Sequence, residues 1–172
     1  MREAIKIVGI SVLGFVTYGI AQDQITARIS IEYFTIGHVR LVATDNPTVH
    51  ALLWGVIATW WFGAGAGIVF ALVSRIGKYP KLIWHDLLHP AGWLFLATGS
   101  VAFIAGFIGY STSEAGIFYL VEPYASQIAP ERHTRFLANG WAHTGAYIAG
   151  GIGSVMMVWW LWKERKRRAH LS

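Results

Sequence analysis

Apolar residues along the chain gather into four long stretches, which are separated by more polar connections. The stretches cover residues 5–21, 49–74, 90–110 and 141–162. A helix needs roughly 20 apolar residues to cross a hydrocarbon core of about 30 Å, and all but the first stretch reach that length comfortably. The pattern predicts an all-α membrane protein, a four-transmembrane-helix bundle built as a single integral membrane domain over residues 1–172.

The connection between the first two stretches has a different pattern, because apolar and polar residues alternate there with the period of a strand. One alternation runs over residues 27–34 and a second over residues 38–44. The intervening Thr35-Ile36-Gly37 suits a three-residue turn with Gly37 in the left-handed conformation. We therefore predict a short extracytoplasmic β-hairpin over residues 25–44, with Glu32 opposite Arg40 and with open edges that could pair with a partner strand.

Basic residues fall on alternate sides of the predicted spans. They are concentrated before the first span, between the second and third, and after the fourth: Arg2, Lys6, Arg75, Lys78, Lys81, Lys163, Arg165, Lys166, Arg167 and Arg168. The positive-inside rule places these groups, and with them both termini, in the cytoplasm. Arg2, Lys6 and Gly19-Ile20-Ala21 also imitate a signal peptide, for which we expect an uncleaved signal anchor.

The composition agrees with a membrane protein and excludes several kinds of cofactor site. The chain is 55% hydrophobic and only 13% charged, with a mean hydropathy of +0.46. It contains no cysteine, which excludes disulfides, iron–sulfur clusters and thiolate metal sites. The formal net charge of +5 is explained by the distribution of basic residues about the membrane, so we expect membrane lipids as partners and no nucleic acid.

Small residues recur every four positions on three of the spans and predict close helix packing. On the second span they are Gly55, Thr59, Gly63 and Gly67, continued by Ala71. The third span carries Thr98, Ala102 and Gly106, and the fourth carries Ala146 and Gly150 with Ala142 and Ser154. Because lipid is as apolar as leucine, such helices associate through close contact between smooth faces. We expect these faces to meet one another, or to bind a second copy or another membrane subunit.

The histidines, seven in total, raise the question of a transition metal or haem. His143, His133, His50, His38 and Glu32 all fall at the predicted outer end and are the candidate ligands. His143 is the strongest candidate because it lies within an apolar span on the same face as Asn139. Its alternative role is a neutral histidine that is hydrogen-bonded to Asn139 or to a neighbouring helix. Neither Glu-x-x-His nor His-Glu-x-x-His occurs, so no complete ligand set is evident.

Three short runs resemble a pattern found in small four-span bacterial inner-membrane proteins of unassigned activity. The runs are Asp23-Gln24-Ile25-Thr26, Glu32-Tyr33-Phe34-Thr35-Ile36-Gly37-His38 and Thr44-Asp45-Asn46-Pro47-Thr48. The resemblance covers chiefly residues 20–75. It implies the four-span layout and a bacterial inner membrane location, and it carries over no catalytic residue.

Two functions remain as expectations from the sequence. The first is a non-catalytic membrane component, a subunit or accessory factor of a larger complex or a homo-oligomer, which uses its glycine faces and outer hairpin for contacts. The second is a redox protein or enzyme that binds a metal or haem through the outer histidines and Glu32. We favour the first, because metal ligands need convergent geometry as well as suitable chemistry.

Overall fold

The structure, a computed structural model, describes residues 1–171 and contains four long helical spans. The α-helices are α1 (Arg2–Ile29), α2 (Glu32–Thr35), α3 (Pro47–Ile57), α4 (Trp60–Arg75), α5 (Leu88–Glu114), α6 (Tyr124–Gln127) and α7 (His133–Ala169). Short 3-10 segments, Trp84–Leu87 and Pro130–Arg132, precede α5 and α7. The stretches Arg2–Ile29, Pro47–Arg75, Trp84–Glu114 and Pro130–Ala169 are long and apolar enough to cross a membrane. This confirms the predicted four-span, all-helical bundle.

The spans pack as two pairs. α1 lies along α3 and α4, α5 lies along α7, and α4 meets α7 to join the pairs. The end that carries both chain termini, here called the terminal end, is filled by a cluster that includes Ile7, Phe70, Leu82 and Leu161. The opposite end, here called the distal end, carries the connections 30–46 and 115–132.

Glycines allow the helices of the first pair to approach closely. A Cβ atom on Gly55 would lie 2.6 Å from the Ile20 Cα, and one on Gly63 would lie 2.9 Å from the Val12 Cα. The small-residue face of the second span therefore lies against α1, where we had expected it to meet the third and fourth spans. In the second pair, a Cβ on Gly145 would lie 2.7 Å from the Ala105 Cβ, so α5 and α7 are also close.

The second span is interrupted near its middle. Asn46 caps its start by accepting hydrogen bonds from the backbone N–H groups of Thr48 and Val49. α3 then ends at Ile57 and α4 begins at Trp60. The Thr59 hydroxyl donates to the Gly55 carbonyl at 2.5 Å, a bond to the preceding turn of the type that bends helices. The break leaves Ala58 and Thr59 beside the cavity described below.

The predicted β-hairpin over residues 25–44 is wrong, because no strand forms anywhere in residues 1–171. α1 continues to Ile29, and a further turn, α2, follows it. Ala27 and Phe34 are buried against Ala51, and Ile31 packs on the same cluster. Positions 27, 31 and 34 follow the helical spacing i, i+4, i+7, whereas strand alternation would place Phe34 on the face opposite Ala27 and Ile31. Their common burial against the second span decides in favour of the helix.

Because the hairpin does not form, the predicted pairing of Glu32 with Arg40 is also wrong. Glu32 accepts a hydrogen bond from Arg132 Nε at 3.0 Å, while Arg40 pairs with Asp45 at 2.7 Å. Gly37 does not take the left-handed conformation. Its small size is needed instead because a Cβ there would lie 2.7 Å from the Tyr33 carbonyl oxygen. The Glu32–Arg132 pair thus fixes α2 to the start of α7, and no strand edge is left open in the described residues.

Candidate functional site

A cavity of about 370 Å³ lies in the distal half of the bundle, between the two helix pairs. The break between α3 and α4 forms one wall, α1 and α7 form others, and the α2 segment covers the distal side. Nine aromatic side chains dominate the lining: Phe15, Tyr18, Tyr33, Phe34, Trp54, Trp61, Phe62, Phe95 and Tyr147. The polar side chains in the wall are few, chiefly Gln22, Asp23, His38, Thr59, Thr98 and His143.

Asp23 is the acidic residue of this wall and is almost fully enclosed. Its position on α1 continues a buried stripe at four-residue spacing, formed by Ser11, Phe15 and Gly19. The residue is only 5% exposed, yet within the described chain its carboxylate accepts no hydrogen bond. His143 lies within ion-pair distance, with its Nε2 3.7 Å from Asp23 Oδ1, and would be charged only if protonated. A buried carboxylate that accepts no hydrogen bond inside a membrane span is expensive and marks a functional site by default.

His143 is held by α1 rather than by its own helix. Its Nε2 lies 3.2 Å from the Thr26 Oγ1, and the single Thr26 hydroxyl proton is donated to the Gln22 carbonyl. With the Thr26 proton directed to Gln22, a proton carried on Nε2 of the imidazole would be donated to Thr26. Asn139 does not bind His143 but donates instead to the Thr26 and Ser30 carbonyls at the end of α1.

Aromatic contacts fix the distal side of the cavity. The Tyr33 ring stacks on His143 with centroids 4.7 Å apart and an angle of 19° between planes. The His38 Nδ1 lies 2.8 Å from the Tyr33 carbonyl oxygen, and its ring packs 4.7 Å from Trp54. Burial raises the pKa of the Tyr33 phenol above its usual range, so the hydroxyl stays neutral. Tyr33 and Phe34 of α2, together with His38, thus close the distal side of the cavity largely with aromatic rings.

The cavity meets its surroundings at the side of the bundle. Trp61 on α4 and Tyr147 on α7 both line the cavity, yet each is 58% exposed. Both lie within stretches that are apolar enough to cross a membrane. The cavity is therefore least enclosed on the lateral surface of the bundle, where these two lining side chains are exposed.

The five predicted metal ligands do not converge. His38 and His143 line the same cavity, with Tyr33 between them. His50 instead binds the Thr44 carbonyl at 2.6 Å, and His133 binds the Ile128 carbonyl at 2.8 Å. Glu32 is held by Ser30 and Arg132. Among residues 1–171, no three His, Cys, Asp or Glu side chains lie close enough together to hold a metal ion.

Sequence reasoning missed the residues that define this site. The first apolar stretch ends at Ala21, so hydropathy alone places Asp23 in the connection that follows rather than in the span. The available signal was helical spacing, since Asp23 falls four residues after Gly19 on the stripe that begins inside the span. Tyr18 and Tyr147 were likewise not singled out, and aromatic residues on a lipid-facing span give no sequence signal for a cavity.

Comparisons of the chain with protein-family models, with curated proteins and with solved structures find no match. The function therefore has to be inferred from the geometry of the site itself.

Proposed function

We propose that the chain is a non-catalytic integral membrane protein that binds a small amphipathic molecule between its two helix pairs. The observation that carries the proposal is the aromatic cavity of about 370 Å³, with one buried carboxylate that has no hydrogen-bond partner in the described chain. Small-molecule sites are typically apolar hollows of this size with a few placed polar groups. In this role the chain serves a larger membrane complex as a subunit or accessory factor.

Binding fits the wall better than catalysis does. The Thr59 and Thr98 hydroxyls donate to carbonyl groups one turn back in their own spans, Gly55 and Leu94. The His143 Nε2 lies 3.2 Å from the Thr26 Oγ1. These groups are thus committed to the fold, and a nucleophile would need a base at hydrogen-bond distance.

We further propose that the terminal end faces the cytoplasm of a bacterial inner membrane. The basic residues of the 75–81 connection lie at the same end as the basic residues of both termini, as the positive-inside rule requires. The cavity then lies in the outer half of the membrane, with its lateral opening toward the lipid.

Replacement of Gly150 by leucine tests the binding proposal. Gly150 lines the cavity, and a Cβ there would have only the Thr98 methyl group in range, at 3.9 Å. A leucine side chain can therefore fill the cavity without a backbone clash. We expect saturable binding of 4-phenyl-1-butanol to wild-type protein in lipid nanodiscs, measured by calorimetry against empty nanodiscs, and loss of that binding in Gly150→Leu.

The matched control is Gly151→Leu, because a Cβ on Gly151 meets nothing within 4 Å and Gly151 does not line the cavity. This variant should bind the alcohol as the wild type does. The proposal fails if the wild type takes up no more alcohol than empty nanodiscs, or if Gly150→Leu binds it unchanged.

A further inference from the structure

The charge balance of the cavity is incomplete. Asp23 contributes a carboxylate, and no lysine or arginine of the described residues lines the wall. His143 does not complete the balance through a hydrogen bond, because its Nε2 lies 3.7 Å from Asp23 Oδ1, beyond hydrogen-bond distance, and 3.2 Å from Thr26 Oγ1. A carboxylate so enclosed is stabilised when a cation comes to lie beside it.

The rest of the wall favours the same kind of partner. Aromatic rings carry negative charge on their faces and attract ammonium groups, most strongly where water is excluded. The cavity has nine such rings around a single acid, which is the composition of sites that recognise organic ammonium ions. An anionic head group would meet Asp23 without any compensating positive side chain in the described wall.

We infer that the ligand of this cavity is an organic cation, an amine or quaternary ammonium with an apolar body, and that Asp23 is its counter-ion. The inference rests on the proposed binding function and specifies its ligand class. The apolar body lies against the aromatic wall, and the cationic head reaches Asp23 beneath the α2 cover. In this proposal the molecule enters from the membrane at the side of the bundle, where Trp61 and Tyr147 are exposed.

Three compounds with one carbon skeleton separate the cation from the apolar body: 4-phenylbutylamine, 4-phenyl-1-butanol and 4-phenylbutyrate. Binding to the full chain in lipid nanodiscs is measured by calorimetry, with empty nanodiscs subtracting partition into lipid. We expect the amine to bind at least about tenfold more tightly than the alcohol, and the butyrate most weakly.

Variants test whether Asp23 causes the preference for the amine over the alcohol. In Asp23→Asn the advantage of the amine over the alcohol should disappear while alcohol binding persists, which also shows that the variant folds. Asp23→Glu should retain the advantage, and Glu114→Gln, which alters an exposed acid, should leave all three affinities unchanged.

The outcomes distinguish the two proposals. Equal binding of amine and alcohol by the wild type, or a preference for the amine that survives in Asp23→Asn, overturns the cation inference and leaves the binding function standing. If none of the three compounds binds above empty nanodiscs, the binding function itself fails.

Discussion

Two acids that are nine residues apart show how strongly the role of a carboxylate depends on its position. Asp23 lies on the buried stripe of α1 and has no hydrogen-bond partner in the described chain. Glu32 lies just beyond α1, where Ser30 donates to it at 2.7 Å and Arg132 at 3.0 Å. The first is free to meet a ligand, while the second fixes the α2 cover to α7.

Glu32 should make stability depend on pH. Burial acts most strongly and opposes its ionisation. The hydrogen bond from Ser30, a backbone hydrogen bond at Glu32 and the guanidinium of Arg132 together outweigh burial and lower the pKa of Glu32 below 4.5. A carboxyl whose pKa is lowered by folding stabilises the protein above the unfolded value, and this contribution is lost as pH falls through the folded value. We therefore expect wild-type stability to fall below about pH 4.5 by roughly 0.5–1 kcal/mol more than that of Glu32→Gln.

The measurement is thermal unfolding in detergent between pH 7 and 3, followed by tryptophan fluorescence. Glu114→Gln, which alters an exposed acid, should reproduce the wild-type profile. If Glu32→Gln also shows the wild-type pH dependence, the Glu32–Arg132 pair does not stabilise the fold.

Individual residues were predicted unevenly from the sequence. The placement of His143 in the bundle interior followed from its depth and face, but its partner did not, because Thr26 comes from a helix 117 positions away in the chain. The place of Asp23 in the bundle was missed because the apolar stretch ends at residue 21, whereas the helix continues to Ile29. Contacts between distant helices decide the partner of His143, and no local pattern encodes them. The burial of Asp23 is indicated locally, by its four-residue spacing from Gly19.

At the scale of helices, the close approach of α1 and α4 depends on the glycines of the second span. A Cβ on Gly67 would lie 2.8 Å from the Ser11 Cβ and 3.0 Å from the Val8 Cα. Helices in lipid gain little from hydrophobicity when they associate, so contact at this distance is a main source of their affinity. The break at Ala58 and Thr59 also lies where the second span comes close to α1, because Thr59 packs against Gly19.

Gly67→Leu should therefore separate α1 from α4. The backbone of α1 cannot yield as a flexible side chain would, so we expect a loss of about 1–3 kcal/mol, read as a lower thermal unfolding midpoint in detergent. Gly65→Leu is the matched control, because Gly65 is exposed on the same helix and a Cβ there meets nothing within 4 Å. Equal midpoints for the two variants would contradict the proposed role of this face.

The helices also show what periodicity can and cannot decide. The four spans follow from the length of the apolar stretches, because a helix satisfies all backbone hydrogen bonds within the segment when it crosses lipid. The hairpin prediction failed because positions 27 and 31 satisfy both periods, while Phe34, which alternation places on the opposite face, packs in the core beside Ala51. Short alternating segments next to a long helix are ambiguous until their burial is known.

At the scale of the whole molecule, the arrangement in two pairs explains why a cavity exists. Tight contacts lie within the pairs, between α1 and the second span and between α5 and α7, while the pairs meet mainly through α4 and α7. At the terminal end, Arg165 of α7 reinforces this junction by donating to the Val73 carbonyl in α4. It also donates to the carbonyls of Ile76, Tyr79 and Pro80 in the connection that follows, at 2.7–2.9 Å. In the distal half the second span is α3, which has no hydrogen bond to α7 in the described chain, and the aromatic cavity occupies that space.

The proposed orientation can be tested on the entire chain, because the native sequence contains no cysteine. Single cysteines at the exposed positions Ala43 and Ala129 report on the distal end, and one at Lys78 reports on the terminal end. If the terminal end faces the cytoplasm, a membrane-impermeant maleimide added to intact bacterial cells with a permeabilised outer membrane should label Ala43→Cys and Ala129→Cys but not Lys78→Cys. Lysed cells should show labelling at all three positions. Labelling of Lys78→Cys alone in intact cells would invert the topology, and the lateral opening beside Asp23 would then lie in the inner half of the membrane.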